Sequence, residues 1–157
     1  MSSPRFLITH SILVWEPENA RPSLADMFWP SMQTLKHIVV DIDVYFDVDA
    51  LFGIPSDLEE MRTKNIIETI TLGIVIHTNA NSFQGDWGRL DEVLTKPGWV
   101  SLKQVMLTIE LAYYDGSIYD EVLEFEEELK ILLGAQFPRL SSSKSVSFNF
   151  EVGFIES

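Results

Sequence analysis

The chain contains no cysteine, and this absence removes several kinds of chemistry together. A disulfide framework, a zinc site built on thiolates and a cysteine nucleophile all require the thiol group. Residues 1–15 also lack the charge and cleavage pattern of a secretory signal peptide. We therefore expect a protein of the cytoplasm or the nucleus.

Cationic residues are scarce. There are 11 Lys and Arg residues against 24 Asp and Glu residues, which gives a formal net charge of -13. The cations are scattered along the chain rather than gathered into a basic stripe. Nucleic acid and anionic membranes are therefore not expected as partners, because both bind proteins through clusters of Lys and Arg.

Long hydrophobic runs are also missing, since no stretch approaches the roughly 18 apolar residues that a membrane helix needs. Hydrophobic residues nevertheless make up 46% of the 157 residues. That fraction is enough for one buried core in a chain of this length. We expect a single α/β domain over residues 1–157.

One alternating pattern recurs along the chain. "TLKHIVVDIDV" (34–44) and "SLKQVMLTIEL" (101–111) align without a gap, and "IETITLGIVI" (67–76) and "SVSFNFEV" (145–152) repeat the alternation. A period of two predicts β-strands with one buried face. The predicted buried series are Ile38, Val40, Ile42, Val44; Ile70, Leu72, Ile74, Ile76; Val105, Leu107, Ile109, Leu111; and Val146, Phe148, Phe150, Val152.

The series begin at intervals of 32, 35 and 41 residues, which suits a strand followed by a helical return. Ser23 and Pro30 bound one predicted helix, and Ser56 with Glu59 forms a capping box for a second over residues 57–65. Asp86 is predicted to cap a third that stops at residues 96–98, and residues 119–133 form the strongest amphipathic helix.

Such long connections favour parallel strands joined by right-handed β-α crossovers. A further strand is predicted over residues 6–14. The predicted fold class is α/β, an irregular β-α solenoid with four or five mostly parallel strands and helices on the outer face.

Two segments carry a family resemblance. "GDWGRLDEVLTKPGWVSLKQVMLTIEL" (85–111) and "FPRLSSSKSVSFNFEV" (137–152) combine a Trp-x-x-Leu-Asp-x-x-Leu helix, a Pro-Gly turn and a Ser-Leu-Lys-x-Val strand entry. They resemble the C-terminal leucine-rich-repeat-like region of F-box proteins from mushroom-forming fungi, over about residues 27–154. The resemblance implies a curved, leucine-rich-repeat-like solenoid that recognises proteins, as the substrate-binding arm of a ubiquitin ligase does.

The match to this family is incomplete in two respects. No F-box segment is recognisable before Phe28, so binding to the ligase adaptor is not expected. The Asn-bearing signature of regular leucine-rich repeats is also missing, which makes an irregular solenoid the better description.

The stretch "DIDVYFDVD" (41–49) concentrates four aspartates. A helix-loop-helix calcium site needs Gly at its sixth position, which is Phe46 or Phe52 here, so no metal site is expected. The alternation instead predicts that Asp41 and Asp43 project from the outward face of a strand, about 7 Å apart.

Aligned positions on the other strands share that outward face: Thr71 and Gly73, Thr108 and Glu110, and Asn149 and Glu151. The candidate partner-binding surface is therefore Asp41, Asp43, Thr108, Glu110, Asn149 and Glu151. Two interpretations remain open, namely an ordinary solvated strand face or a binding surface. A binding surface with this charge would favour a basic segment of a partner protein.

No catalytic or cofactor motif is apparent. His10, His37 and His77 lie on or beside different strands, and Ser117 lacks the Gly-x-Ser-x-Gly context of a hydrolase. We expect a protein that is not an enzyme and needs no cofactor. The alternative is a small acidic hydrolase or a carbohydrate-binding protein, for which Trp15, Trp29, Trp87 and Trp99 would supply stacking surfaces.

The last strand is predicted to lie at the edge of the sheet. It alternates and contains neither Pro nor Lys over residues 145–156. Natural edge strands usually carry such residues, which discourage pairing with another chain. We therefore expect that this edge is covered or forms a homo-oligomer.

Overall fold

Five strands form one sheet in which every pair of neighbours is parallel and the strand order follows the chain. The computed structural model describes residues 7–14, 24–45, 53–77, 87–113, 127, 130–131 and 134–156. The strands are β1 (Leu7–Val14), β2 (His37–Tyr45), β3 (Thr69–His77), β4 (Gln104–Tyr113) and β5 (Ser147–Glu156). The predicted α/β class with a parallel sheet is confirmed, as are all five strands.

The inner face of the sheet is built from rows of aligned apolar residues. Ile38, Ile70 and Val105 form one row across β2 to β4, and each is at most 1% exposed. The next two rows, Val40–Leu72–Leu107 and Ile42–Ile74–Ile109, are equally buried. The inner faces of these strands consist of Ile, Val and Leu. Their burial stabilises the fold because it removes apolar area from water.

The register of β5 differs from the prediction by two residues. Val105 lies opposite Phe148, whereas the alignment placed it opposite Val146. Val146 directly precedes the strand and is still buried. A shift by two keeps every side chain on its predicted face, because side chains alternate with a period of two.

Four helices whose bounds are described lie over the inner face of the sheet, and their buried side chains join the strand rows in one core. They are α1 (Leu24–Phe28), α2 (Ile54–Met61), α3 (Trp87–Thr95) and α4 (Pro138–Ser142), and a 3-10 turn, Trp29–Ser31, follows α1. Each helix packs beside the next in chain order. The outward face of the sheet carries none of these helices.

The helix predictions differ from the structure in their boundaries. The second helix covers Ile54–Met61 rather than residues 57–65. Gly53 directly precedes it as the N-cap, and the positive φ of 82° at this glycine turns the chain into the helix. Ser56 lies inside the helix, so the predicted capping box is wrong. Pro55 occupies the first turn, where its missing N–H is not needed.

The other three helix predictions reach beyond the described residues. Ser23 and Asp86, the predicted caps of α1 and α3, lie outside them. For the helix predicted over residues 119–133, only Glu127, Lys130 and Ile131 are described, and all three are helical.

Gly98 ends the turn after α3 and has a φ of 118°, a conformation that residues with a Cβ rarely adopt. A Cβ there would also lie 3.1 Å from Cγ of Arg62. We expect Gly98→Ala to lower the free energy of unfolding by about 1–2 kcal/mol. Gly88→Ala, in an open helical position, is the control and is expected to leave stability unchanged or raise it by up to about 1 kcal/mol in urea melts. Equal stabilities for the two variants would contradict this.

Candidate partner-binding surface

The outward face of the sheet presents a row of polar residues across its centre. Asp41, Gly73, Thr108 and Glu151 are aligned neighbours on β2, β3, β4 and β5. Asp41 and Glu151 are exposed, and Thr108 is half-buried. These strands therefore offer a face that side chains of another molecule can reach.

The two rows beside this one mix polar and apolar groups. On one side lie Val39, Thr71, Met106 and Asn149, with Met106 39% exposed. On the other side lie Asp43, Val75, Glu110 and Gly153. The face thus combines carboxylates with apolar groups that could contact the aliphatic part of a bound side chain.

All six residues predicted for this surface lie at outward positions of the strands, but their alignment is different. Thr108 pairs with Glu151 rather than with Asn149, and Glu110 pairs with Gly153. Asp43 occupies the row of Glu110 by register, although its side chain is outside the described residues. The structure therefore brings the set to one face in a staggered arrangement.

Gly73 has a specific role at the centre of the face. A Cβ at this position would lie 2.5 Å from Oδ1 of Asp41, so the carboxylate occupies the space that a side chain on β3 would fill. The missing side chain leaves room for the Asp41 carboxylate to lean across the neighbouring strand. The sequence shows the glycine but does not predict this contact.

The five strands contain five carboxylates and no Lys or Arg. The carboxylates are Asp41, Asp43, Glu110, Glu151 and Glu156. Among the described residues, the side chains of Asp41, Glu110 and Glu151 form no ion pair. By the alternation, Glu156 is at an inner-face position, so the outward face of the described strands carries the other four carboxylates and no Lys or Arg.

Several cations lie instead at the end of the sheet where the strands begin. Lys36, Glu68 and Lys103 directly precede β2, β3 and β4, and their backbones continue the ladder of hydrogen bonds. Nζ of Lys103 lies 3.2 Å from Oε1 of Glu68. This hydrogen bond lowers the pKa of Glu68 against the opposing effect of burial, and the charge of Lys36 assists.

A second cluster of charges lies between α2 and α3, away from the sheet face. Glu59 pairs with Arg62 at 3.2 Å and with Lys96 at 3.4 Å, and Arg62 also donates to the carbonyl of Pro97. Burial raises the pKa of Glu59, but the two cations outweigh it and lower that pKa overall. An ionised, paired carboxylate of this kind joins two helices and is poorly suited to act as a general acid.

The other candidate ligands do not converge. His37 donates to or accepts from Thr69 Oγ1 at 2.6 Å, while His77 lies at the opposite end of its strand. Within the described ranges, no group of three His, Asp or Glu residues could hold a metal ion.

Of the tryptophans, Trp87 is buried and Trp99 is half-buried against the core, while Trp15 lies outside the described residues. Trp29 is 54% exposed beside a groove lined by Pro30 and Ile66. The ammonium of Lys64 lies 5.1 Å from the centre of its ring. One face of this ring is therefore covered by a cation.

Two buried polar residues were not singled out by the sequence. Asp91 is 3% exposed and accepts hydrogen bonds from the N–H groups of Arg139 and Leu140, at the start of α4. Asn65 is 6% exposed and closes the turn between α2 and β3 through Met61 and Ile67. For Asp91 the available signal was its place in the Trp-x-x-Leu-Asp-x-x-Leu motif, and for Asn65 it was a polar residue among apolar neighbours.

The chain matches no protein-family model, no curated protein and no solved structure. In the part of the chain that the structure describes, no helix has the length and apolar character required to span a lipid bilayer.

Proposed function

We propose that this protein is a non-catalytic recognition module that binds an extended basic segment of another protein across the outward face of its sheet. The proposed architecture is an irregular, leucine-rich-repeat-like β-α solenoid with right-handed crossovers. The acidic surface formed by Asp41, Asp43, Thr108, Glu110, Asn149 and Glu151 is the proposed binding site.

The order of the elements supports the solenoid. Successive strands are neighbours in the sheet, and α1 to α4 pack beside one another in the same order. Each strand-helix unit therefore contacts mainly the units before and after it, as in repeat proteins. The strand-lined face of such proteins is a common binding surface.

The observation that carries the proposal is the charge of the strands. Five carboxylates and no Lys or Arg occur in the five strands, and none of the three described outward carboxylates is paired within the described residues. Complementary charge sets partner choice and association rate at protein interfaces. A basic partner segment would supply the missing cations.

The spacing of the carboxylates fits an extended chain. Asp41 and Glu151 lie on strands three apart, or about 14 Å at the usual spacing between neighbouring strands. About four residues of extended chain cover that distance. Two cationic residues separated by three others could therefore contact both carboxylates, while Met106 and Val75 contact their methylene groups.

The family resemblance supports the same conclusion at a coarser level. Residues 85–111 and 137–152 resemble the substrate-binding arm of fungal F-box proteins, whose role is protein recognition. In that family the recognised segment belongs to a substrate that is presented for ubiquitination. Binding to the ligase adaptor is not part of the proposal.

The alternative of a carbohydrate-binding protein or a small hydrolase depends mainly on exposed Trp29. Sugars stack on open aromatic faces, and Lys64 already covers one face of this ring. Glu59, whose pKa is lowered by Arg62 and Lys96, also lacks the raised pKa expected of a hydrolytic acid. These contacts favour protein recognition.

The proposal is tested by reversing the charge of the described outward carboxylates. The triple variant Asp41→Lys, Glu110→Lys, Glu151→Lys is compared with the wild type in binding a synthetic peptide with Lys at every fourth position. We expect at least a tenfold loss of affinity, about 1.4 kcal/mol, measured by fluorescence anisotropy.

The matched control is Asp26→Lys, Glu60→Lys, Glu127→Lys, which changes net charge equally at exposed helical positions. It is expected to keep most of the affinity. Binding by the wild type is expected to weaken as salt is added, because exposed charges are screened. Equal losses in both triple variants would show that only net charge matters and would reject this site.

A further inference from the structure

The inner rows are less completely buried at β5 than at β2 to β4. Ile42, Ile74 and Ile109 are 1%, 1% and 0% exposed, while the next residue in the same row, Val152, is 8% exposed. In the two other rows, the β5 residues Phe148 and Phe150 are only half-buried. The core is therefore fully covered at β2 to β4 but only partly covered along β5. We call this partly covered side the open end of the core.

An aromatic cluster lies at this open end. The rings of Phe148 and Phe150 are nearly parallel, with centres 6.3 Å apart, and both contact Phe137 at 5.3 and 5.7 Å. Phe137 itself is fully buried. Large apolar groups that are partly exposed at the end of a core lower the free energy when another apolar surface covers them.

The backbone of β5 is also open on that side. Among the described strands, β5 pairs only with β4. The N–H of Ser147 donates to the carbonyl of Lys103, which directly precedes β4, and the backbone groups of a strand alternate sides. The N–H groups of Phe148, Phe150 and Val152 therefore point towards the open edge, which can accept an additional strand.

Nothing in the sequence of β5 opposes such pairing. The strand is ten residues long and contains no Lys, Arg or Pro. Natural proteins use these residues, or short edge strands, to prevent association through a sheet edge.

We propose that β5 pairs with β5 of a second copy of this chain, antiparallel and around a two-fold axis at Val152. Each copy then supplies the strand that the other lacks, which makes the interface self-complementary. Pairing around Val152 places inner-face residues opposite inner-face residues, so that Phe150 lies opposite Phe154 of the second copy.

The charges select this register over its neighbour. Around Val152, Glu151 lies opposite Gly153 of the second copy, whereas pairing around Glu151 would set two carboxylates directly opposite each other. Like charges in directly opposed strand positions are destabilising. Both registers keep the apolar residues of the two strands on the same face, so the charges decide between them.

The net charge of the chain predicts how dimerisation depends on salt concentration. Two copies that each carry a charge of -13 repel, and added salt screens that repulsion. The dimer is therefore expected to strengthen with salt, while binding of a basic segment to the sheet face weakens. The opposite signs separate this inference from the proposed function, and either can fail alone.

The test is sedimentation equilibrium of the full chain from low to high micromolar concentration, with Phe150→Lys as the variant. In a monomer the new ammonium can reach water through the open end, but in the dimer it is buried in the interface between the two copies. We expect the dissociation constant of the dimer to rise at least tenfold. Met106→Lys adds the same charge at an exposed position on β4 and is expected to leave dimerisation unchanged.

Hydrogen exchange on the wild type provides a second measurement, which holds even if Phe150→Lys fails to fold. The amides of Phe148, Phe150 and Val152 are expected to exchange more slowly as concentration rises. A wild type that stays monomeric throughout, or that forms species larger than a dimer, would overturn the proposed two-fold pairing. Unchanged dimerisation in a folded Phe150→Lys variant would overturn it as well.

Discussion

Replacing Ile109 by aspartate is expected to unfold the protein. Ile109 is 0% exposed and lies between Ile74 and Val152 in an inner row of the sheet. The substitution removes buried apolar area and places a carboxylate where no cation or donor is available. We expect a loss above about 4 kcal/mol. Small domains are stable by only about 5–15 kcal/mol, so most of this variant should already be unfolded at the start of a thermal melt, and the cooperative unfolding transition should be small or absent.

The neighbouring residue provides the control. Glu110 is half-buried on the opposite face of the same strand and has no ion pair among the described residues. Glu110→Lys changes the charge by two units but is expected to shift stability by no more than about 0.5 kcal/mol. Equal tolerance of Ile109→Asp and Glu110→Lys would mean that the two faces of the sheet are assigned incorrectly.

Removing the buried carboxylate of Asp91 is expected to have the second largest effect. Its oxygens lie 2.8 Å from the N–H nitrogen of Leu140 and 3.1 Å from that of Arg139, and they satisfy the donors at the start of α4. Asp91→Ala leaves both donors buried or half-buried without an acceptor. We expect a loss of about 2–4 kcal/mol in urea-induced unfolding.

Two further substitutions test the cause of that loss. Asp91→Asn keeps one acceptor oxygen and is expected to lose about half as much stability as the alanine variant. Glu92→Ala removes the adjacent, exposed carboxylate and should cost no more than about 0.5 kcal/mol. The amide of Leu140 should also exchange faster in Asp91→Ala. If its exchange is unchanged, the capping role is wrong.

The faces of the strands were predictable because burial on one side imposes a period of two. The inner residues of β2 to β4 and the outward position of the six surface residues follow directly from that period. The same period explains the error at β5, since a shift by two residues leaves every face unchanged. The alternation alone therefore cannot distinguish Val146 from Phe148 as the partner of Val105.

The helices α1 to α3 were predictable in approximate position but less so in their ends, and α4 was not predicted. Lys96, Pro97 and Gly98 correctly marked the end of α3. The predicted start of α2 was wrong because the N-cap of this helix is Gly53, with a positive φ, rather than Ser56. Sequence signals for a side-chain cap do not reveal whether the backbone already makes the turn by another route.

The candidate surface was predictable in its members and charge but not in its shape. Acidic residues without cations in the strands are a property of composition and order. The approach of Asp41 to the empty position at Gly73 depends on which strands are neighbours and in which register. Long-range contacts of this kind lie 32 residues apart in the chain, so no local pattern encodes them.

The sequence by itself determined the α/β class, the two faces of β2 to β5, the long crossovers and the acidic character of the outward face. These properties depend on local periodicity and on residue type, which can be read along the chain. Only the tertiary structure decided the register of β5, the open aromatic end of the core and the capping of α4 by Asp91. Those features depend on which residues come into contact after folding. Several strand registers that differ by two residues would bury the same apolar groups, so the alternation does not choose among them.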